Sequence, residues 1–229
     1  MDLKNKTISV IGLGKTGVAT ANFLSLQGAK VSIMDTRSRD QLSELASQLL
    51  PDVKVVYKNC EPHPDSEIVV ISPGVDIESS FLKVSRQNGA EIISEIELAS
   101  RMNNTSLIGI TGTNGKSTCT SLIGEILKEG GISAAVGGNL GTPFISLLDQ
   151  ERVEYRVLEI SSFQMEATHS FHPKIAIILN ITPDHLDRHE SFEQYAGLKE
   201  KIYANQTKED FLILNQDDPS THALGKNCP

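Results

Sequence analysis

Gly112-Thr113-Asn114-Gly115-Lys116-Ser117-Thr118 is the stretch that decides the fold, with the apolar run Ser106-Leu107-Ile108-Gly109-Ile110 before it and a helical pattern from Thr120 to Lys128 after it. A strand, a glycine-rich turn ending in Gly-Lys-Ser/Thr and a helix make an anion site. Successive backbone N–H groups and the helix N-terminus face the phosphates, the lysine reaches the outer ones, and the hydroxyl ligates Mg²⁺. The stretch therefore predicts ATP and Mg²⁺ as ligands, with Gly112 through Thr118 around the nucleotide and Lys116 as a catalytic residue. One position departs from the common pattern: Ile110 stands where a first glycine is usual, and the loop begins at Gly112, which makes it tighter. A glycine-rich turn without a ligand is the plainer alternative. Lys116 and two hydroxyls at the helix start weigh against it.

Upstream, short β-branched runs alternate with helical patterns. Thr7 to Ile11 precedes a helix-like Val18 to Gln27, and strands are expected at Lys30 to Met34, Lys54 to Tyr57 and Glu67 to Ile71. This rhythm predicts parallel strands joined by crossover helices, and the continuous apolar runs predict strands covered on both faces. After a helical Glu95 to Met102 and a polar joint, Asn103-Asn104-Thr105, the rhythm restarts, so a domain boundary is expected near residues 93–105. The α/β chain is thus a Rossmann-like parallel-sheet domain over 1–93, followed by a P-loop NTPase-like domain over 94–229. Further strands are expected at Tyr155 to Ile160, Ile175 to Leu179 and Phe211 to Asn215.

The first domain has its own glycine turn. Gly12-Leu13-Gly14-Lys15-Thr16-Gly17 fits G-x-G-x-x-G, and Asp35 ends the next strand about 20 residues on, where a ribose-binding acid belongs. Alone it suggests a dinucleotide-dependent oxidoreductase, with Arg37 available to a 2′-phosphate. Its physics is a diphosphate at a helix N-terminus, which any nucleotide diphosphate can use, and a plain strand-to-helix turn remains the alternative. Ser72-Pro73-Gly74 follows another apolar strand, at the edge where open α/β sheets bind ligands.

Downstream, Glu159 ends an apolar strand, where a carboxylate is costly to bury unless paired or bound to metal; Mg²⁺ is the natural partner in a nucleotide site. Asn180-Ile181-Thr182-Pro183-Asp184-His185-Leu186-Asp187 places His185 at the same sheet edge. His185 and His189 are four apart, but no H-E-x-x-H glutamate accompanies them, so zinc is set aside and His189 is expected as a solvated loop residue. In a helix expected from Ser191 to Asn205, Lys199 falls on the apolar stripe of Phe192, Tyr195, Ala196, Ile202 and Tyr203. Either it snorkels to water or it turns into the site, where burial would free a neutral amine.

Bulk properties bound the partners. Of 229 residues, 39% are hydrophobic and 22% charged, ordinary for a folded domain pair, and the net charge of −8 argues against a broad nucleic-acid surface. Cys60, Cys119 and Cys228 form no CxxC pair, which suggests a reducing cytoplasm. No apolar run approaches the roughly 20 residues of a membrane span, and the N-terminus does not read as a signal peptide. No oligomeric state is readable, and a monomer is favoured.

Taken in order, Gly12 to Gly17, Asp35-Thr36-Arg37, Ser72-Pro73-Gly74, Gly112 to Thr118, Gly137-Gly138-Asn139, Glu159 to Gln164, Thr182 to His185 and Lys199 resemble the ATP-dependent Mur ligases of peptidoglycan synthesis, most nearly those that add D-glutamate. The tight loop without the first glycine is the form this superfamily uses. The resemblance implies UDP-N-acetylmuramoyl-L-alanine and D-glutamate as substrates and a place in cell-wall growth, shape and division. It also implies substrate contacts at Gly14, Lys15, Thr16, Asp35, Thr36, Arg37, Ser72, Pro73, Gly74, Asn139 and Gln164. Ser117, Glu159, His185 and Lys199 would be ligands of two Mg²⁺ ions, with His185 and Lys199 also catalytic and Lys199 carbamylated.

The same resemblance implies a third, C-terminal domain for the incoming amino acid. Nothing corresponding to it is expected here, the central domain is expected to be incomplete, and the polar end at Asn227-Cys228-Pro229 reads as lacking a closing helix. Little ligase activity is expected of the chain alone. Another Mur ligase, a folylpolyglutamate-synthase-like ligase and an NAD-dependent oxidoreductase are the alternatives. The last leaves Lys116, Glu159 and His185 without a role.

Overall fold

The computed structural model describes residues 1–139, 141–185, 188–189 and 191–225. Leu186, Asp187 and the terminal Asn227-Cys228-Pro229 quoted above lie outside the described residues. The chain divides into two compact units, Met1–Met102 and Asn103–Pro229.

The first unit runs β1 (Thr7–Ile11), α1 (Lys15–Leu26), β2 (Lys30–Asp35), α2 (Arg39–Ala46), β3 (Lys54–Tyr57), β4 (Ile68–Ile71), α3 (Ser80–Gln87), β5 (Glu91–Ser94) and α4 (Glu95–Met102). Its five strands pair in the order β3-β2-β1-β4-β5, all parallel. Every residue of β4, Ile-Val-Val-Ile, is buried, as a strand covered on both faces requires. Each such side chain contributes about 1.5–3 kcal/mol when fully buried. Strand order reverses at β1, whose neighbours are β2 on one side and β4 on the other. The loops after β1 and β4 therefore meet at the carboxyl edge, where open α/β sheets form their ligand crevice.

The second unit runs β6 (Ser106–Thr111), α5 (Lys116–Glu129), β7 (Ala134–Gly138), α6 (Phe144–Leu147), β8 (Tyr155–Glu159), α7 (Ser162–Met165), β9 (Ile175–Ile178), α8 (Phe192–Glu200), a 3-10 turn (Lys201–Tyr203), β10 (Phe211–Leu214) and α9 (Pro219–Leu224). Its parallel sheet has the order β10-β9-β6-β8-β7. Here the strand beside β6 is β8 rather than β7. That crossover sets Ile110 in register with Glu159, and on the other side Thr111 with Ile178.

Several local expectations change. β5 and β7 are strands the sequence did not announce: β5 is short and runs directly into α4, and Ala-Ala-Val-Gly-Gly has little β propensity. The helix expected from Ser191 to Asn205 is α8 plus the 3-10 turn, with the Ser191 side chain accepting from the Gln194 N–H at its start. The expected absence of a closing helix is wrong. Asp218 caps α9 by accepting the Thr221 N–H at 2.9 Å, and Pro219 opens it, a start signal within the polar stretch.

Candidate functional site

The phosphate-type loop links β6 to α5. Gly115 is left-handed (φ 83°), which an L side chain would strain, and α5 begins immediately after it at Lys116 rather than Thr120. The Lys116 ammonium folds back onto the loop, donating to the carbonyls of Gly112 (3.0 Å) and Thr113 (2.8 Å). A cavity of about 310 Å³ opens here, lined by Thr113 through Thr118 together with Asn139 and Glu159.

Glu159 is the last residue of β8 and only 2% exposed. Its Oε1 accepts from the Asn139 side-chain amide at 2.7 Å, and its backbone carbonyl accepts the Asn139 N–H at 2.8 Å. Its Oε2 is buried with no hydrogen-bond partner among the described residues. An orphaned carboxylate oxygen is costly. Placed on a cavity wall with an exposed serine hydroxyl at position 117, it fits a hard divalent cation such as Mg²⁺. Among the described residues no cluster of three or more His, Cys, Asp or Glu could hold a metal alone. Phosphate oxygens and water would complete the sphere, as is usual for Mg²⁺.

Lys199 does not snorkel. It is 2% exposed, its Nζ donates to the Gly112 carbonyl at 2.8 Å, and it lies 4.4 Å from the centroid of the Tyr195 ring. Burial, and then the Lys116 charge, lower its pKa to about 7 against partial support from Asp184, so a neutral amine is accessible near neutrality.

The two histidines part company. His185 has a left-handed backbone (φ 52°) and a half-exposed ring 5.1 Å from that of Phe163. His189 is not a solvated loop residue: it is 3% exposed, stacked on Phe163, with Nε2 3.1 Å from the Ser162 hydroxyl. Its N–H bonds to the His185 carbonyl at 3.0 Å. Gln164 is buried, and its Oε1 accepts from both the N–H and the O–H of Ser161 to cap α7. Lys199, His185 and Gln164 are not among the residues lining the cavity beside the loop.

In the first unit, a cavity of about 390 Å³ is bordered by Gly12, Asp35, Thr36, Cys60, Ser72 and Gly74, among others. Gly12 (φ 100°) lets the β1 loop press against the β4 loop, since a Cβ there would run into the Ser72 hydroxyl. Asp35 is fully engaged. Its Oδ2 accepts the Leu13 N–H (2.8 Å) and Arg37 Nη2 (2.7 Å), and its Oδ1 accepts the Arg37 N–H and Nε (both 2.9 Å). The Arg37 side chain is the main reason its pKa falls to about 2. Arg37 also donates to the Leu13 carbonyl, closing a clasp around the glycine turn. Gly14, Lys15 and Thr16 form the entry to α1, and they, Arg37 and Pro73 are not among the residues bordering this cavity.

A model of the Mur ligase middle domain matches residues 110–228, and a model of the Mur ligase MurD-like N-terminal domain matches residues 6–94. The chain belongs to the Mur ligase family. Within it, the chain is a MurD-like member. It is 48% identical over 230 residues to the UDP-N-acetylmuramoylalanine–D-glutamate ligase of Koribacter versatilis, covering 99% of this chain and 51% of that protein. The ligase of the same name from Geobacter sp. (strain M21) is 45% identical over 224 residues, 96% of this chain and 49% of that protein. The chain thus spans about half the length of the curated relatives it matches. Among solved structures, the UDP-N-acetylmuramate:L-alanyl-gamma-D-glutamyl-meso-diaminopimelate ligase from Neisseria meningitides shares the fold, with a TM-score of 0.63 at 17% identity over 98% of this chain and 76% of that one.

Proposed function

We propose that this chain provides the substrate- and ATP-binding part of a cytoplasmic ligase that joins D-glutamate to UDP-N-acetylmuramoyl-L-alanine. The observation that carries the ATP reading is the orphaned Oε2 of Glu159 beside a lysine-bearing phosphate loop. The choice of substrates rests on the likeness to the curated relatives. The reaction runs in two steps. The substrate carboxylate takes the γ-phosphoryl of ATP, giving an acyl phosphate and ADP; the amine of D-glutamate then displaces phosphate to form the amide. Both steps depend on positioning and charge neutralisation.

The chain's residues take these roles. The N–H groups from Gly115 to Thr118 and the Lys116 ammonium hold the phosphates. Ser117, Glu159, His185 and a carbamylated Lys199 would hold Mg²⁺, which supplies charge neutralisation when bound. Asp35, Thr36 and Arg37 lie near the uridine, with Gly14, Lys15, Thr16 and Ser72-Pro73-Gly74 toward the diphosphate. Asn139 and Gln164 line the way to the alanine end. Acceptor handling belongs to the half of the relatives outside the match, so D-glutamate-dependent ADP release by this chain alone is expected to be weak.

Calorimetric titration tests the reading. Separate, independent binding of Mg-ATP and of a UDP-sugar is expected. Binding of NADH tighter than of the UDP-sugar would overturn the ligase assignment in favour of an oxidoreductase.

A further inference from the structure

Asn180 follows β9 and lies where strand order reverses beside the phosphate loop. Its side chain makes three bonds to that loop. Oδ1 accepts the N–H groups of Thr113 (3.1 Å) and Asn114 (2.9 Å), and Nδ2 donates to the Asn114 carbonyl (3.0 Å). Its backbone carbonyl also accepts the Thr113 N–H at 3.0 Å. Two residues on, the chain grips the loop again: the Thr182 N–H donates to Thr113 Oγ1 at 3.0 Å, and Thr113 Oγ1 lies 3.1 Å from the Thr182 carbonyl. The buried Tyr195 hydroxyl closes the set, 3.2 Å from Thr113 Oγ1.

An anion loop works by aiming N–H groups that have no other partner. Here the N–H groups of Thr113 and Asn114 are already satisfied from within the protein, so they are withdrawn from phosphate binding. We infer that Asn180 is a positioning residue that clamps the first half of the loop and confines the phosphate cradle to the N–H groups of Gly115 through Thr118. The clamp stands in for the missing first glycine. The loop between β6 and α5 begins at Gly112, and the Asn180 amide fixes its first half. Asparagine suits the task because one side chain both accepts and donates. Preorganisation of this kind lowers the ordering cost of binding. The inference rests on the ATP reading above.

Two readouts test it in the full chain. Hydrogen exchange without nucleotide should show the Asn114 amide protected in wild type, unprotected in Asn180→Ala, and again protected in Asn180→Asp, whose carboxylate still accepts it. The Thr113 amide, held also by the Asn180 backbone carbonyl, should stay protected in all three. Calorimetry with Mg-ATP should show about tenfold or greater weakening in Asn180→Ala, with UDP-sugar affinity unchanged. Lost protection at Asn114 with unchanged ATP affinity would overturn the positioning role, and unchanged protection at Asn114 in Asn180→Ala would overturn the clamp itself. Should Asn180→Ala not fold, Asn180→Asp decides: exposure of the Asn114 amide in that variant overturns the inference. Failure of wild type to bind ATP would sink the ATP reading and, with it, the positioning role; the exchange data would still report on the clamp.

Discussion

The two units present the same device with opposite electrostatic endings. In each, a central strand runs into a glycine turn and a helix, and an acid stands at the carboxyl end of an adjacent parallel strand. In the first unit that acid, Asp35, is saturated by Leu13 and Arg37, so the turn is held closed by its own residues. In the second, Glu159 keeps one buried oxygen unpaired among the described residues while Lys116 rests on the loop's carbonyls. The first site is internally neutralised and suits a ligand held by backbone and shape. The second has a carboxylate oxygen without a partner among the described residues and a cation bonded to loop carbonyls, which a metal–triphosphate would satisfy together. Glycine turns alone do not separate these cases; what the neighbouring acid is bonded to does.

The largest effect expected from breaking this contrast is at Lys116. Lys116→Ala should weaken Mg-ATP binding by about 100-fold or more and leave UDP-sugar binding intact, as read by calorimetry. Loss of both with an unchanged circular dichroism spectrum would mean the two sites are not separate. Next comes Glu159→Gln, which keeps an acceptor for Asn139 but removes the charge. The Mg²⁺-dependent part of ATP affinity should fall by about tenfold. Without metal, thermal unfolding should be unchanged or slightly raised, because an unpaired buried carboxylate oxygen is relieved. A clear loss of stability would show that Glu159 is structural, like Asp35.

Lys199 gives a pH-dependent signal. With its amine titrating at about 7, the neutral share grows as pH rises through that value. A carbamate resonance under ¹³C-bicarbonate should therefore strengthen from about pH 6 to about pH 8 and vanish in Lys199→Met. A signal that persists in that variant would place the carbamate elsewhere.

The smallest effect belongs to Asp35. Its folded pKa of about 2 lies below the unfolded value near 3.8, so the folded state binds fewer protons between them. Its stabilisation is present above that window and is lost as pH falls through it. Urea midpoints of the first unit, followed by amide exchange, should drop between about pH 4 and about pH 2. Asp35→Asn should flatten that drop, and an equally steep fall in the variant would assign the acid sensitivity to other carboxylates.

Much of this was legible in the chain. Thr7 to Ile11, Lys54 to Tyr57 and Ser106 to Ile110 read as strands because apolar β-branched runs bounded by turn residues have few other uses, and each matches a strand of the structure to within one residue. β7 was not legible: its residues earn their place by fitting beside β8, not by propensity. Lys199 was visible as a misfit on an apolar stripe, but its partner, the Gly112 carbonyl, lies 87 positions away in sequence. Asn180 gave no signal beyond a polar residue after a strand, and His189 read as exposed because its loop is polar.

Local pattern by itself determined the α/β class, the two glycine turns and the presence of Lys116, Asp35 and Glu159 near strand ends, because periodicity and turn chemistry act over a few residues. Strand order could only come from the folded sheets. It set β8 beside β6, and with that decided which acid would be satisfied and which would not. That outcome depends on donors arriving from distant segments, Arg37 for one carboxylate and none for Glu159 Oε2 among the described residues. Hydrogen-bond satisfaction is a property of three-dimensional neighbours, and it is what distinguishes the two loops.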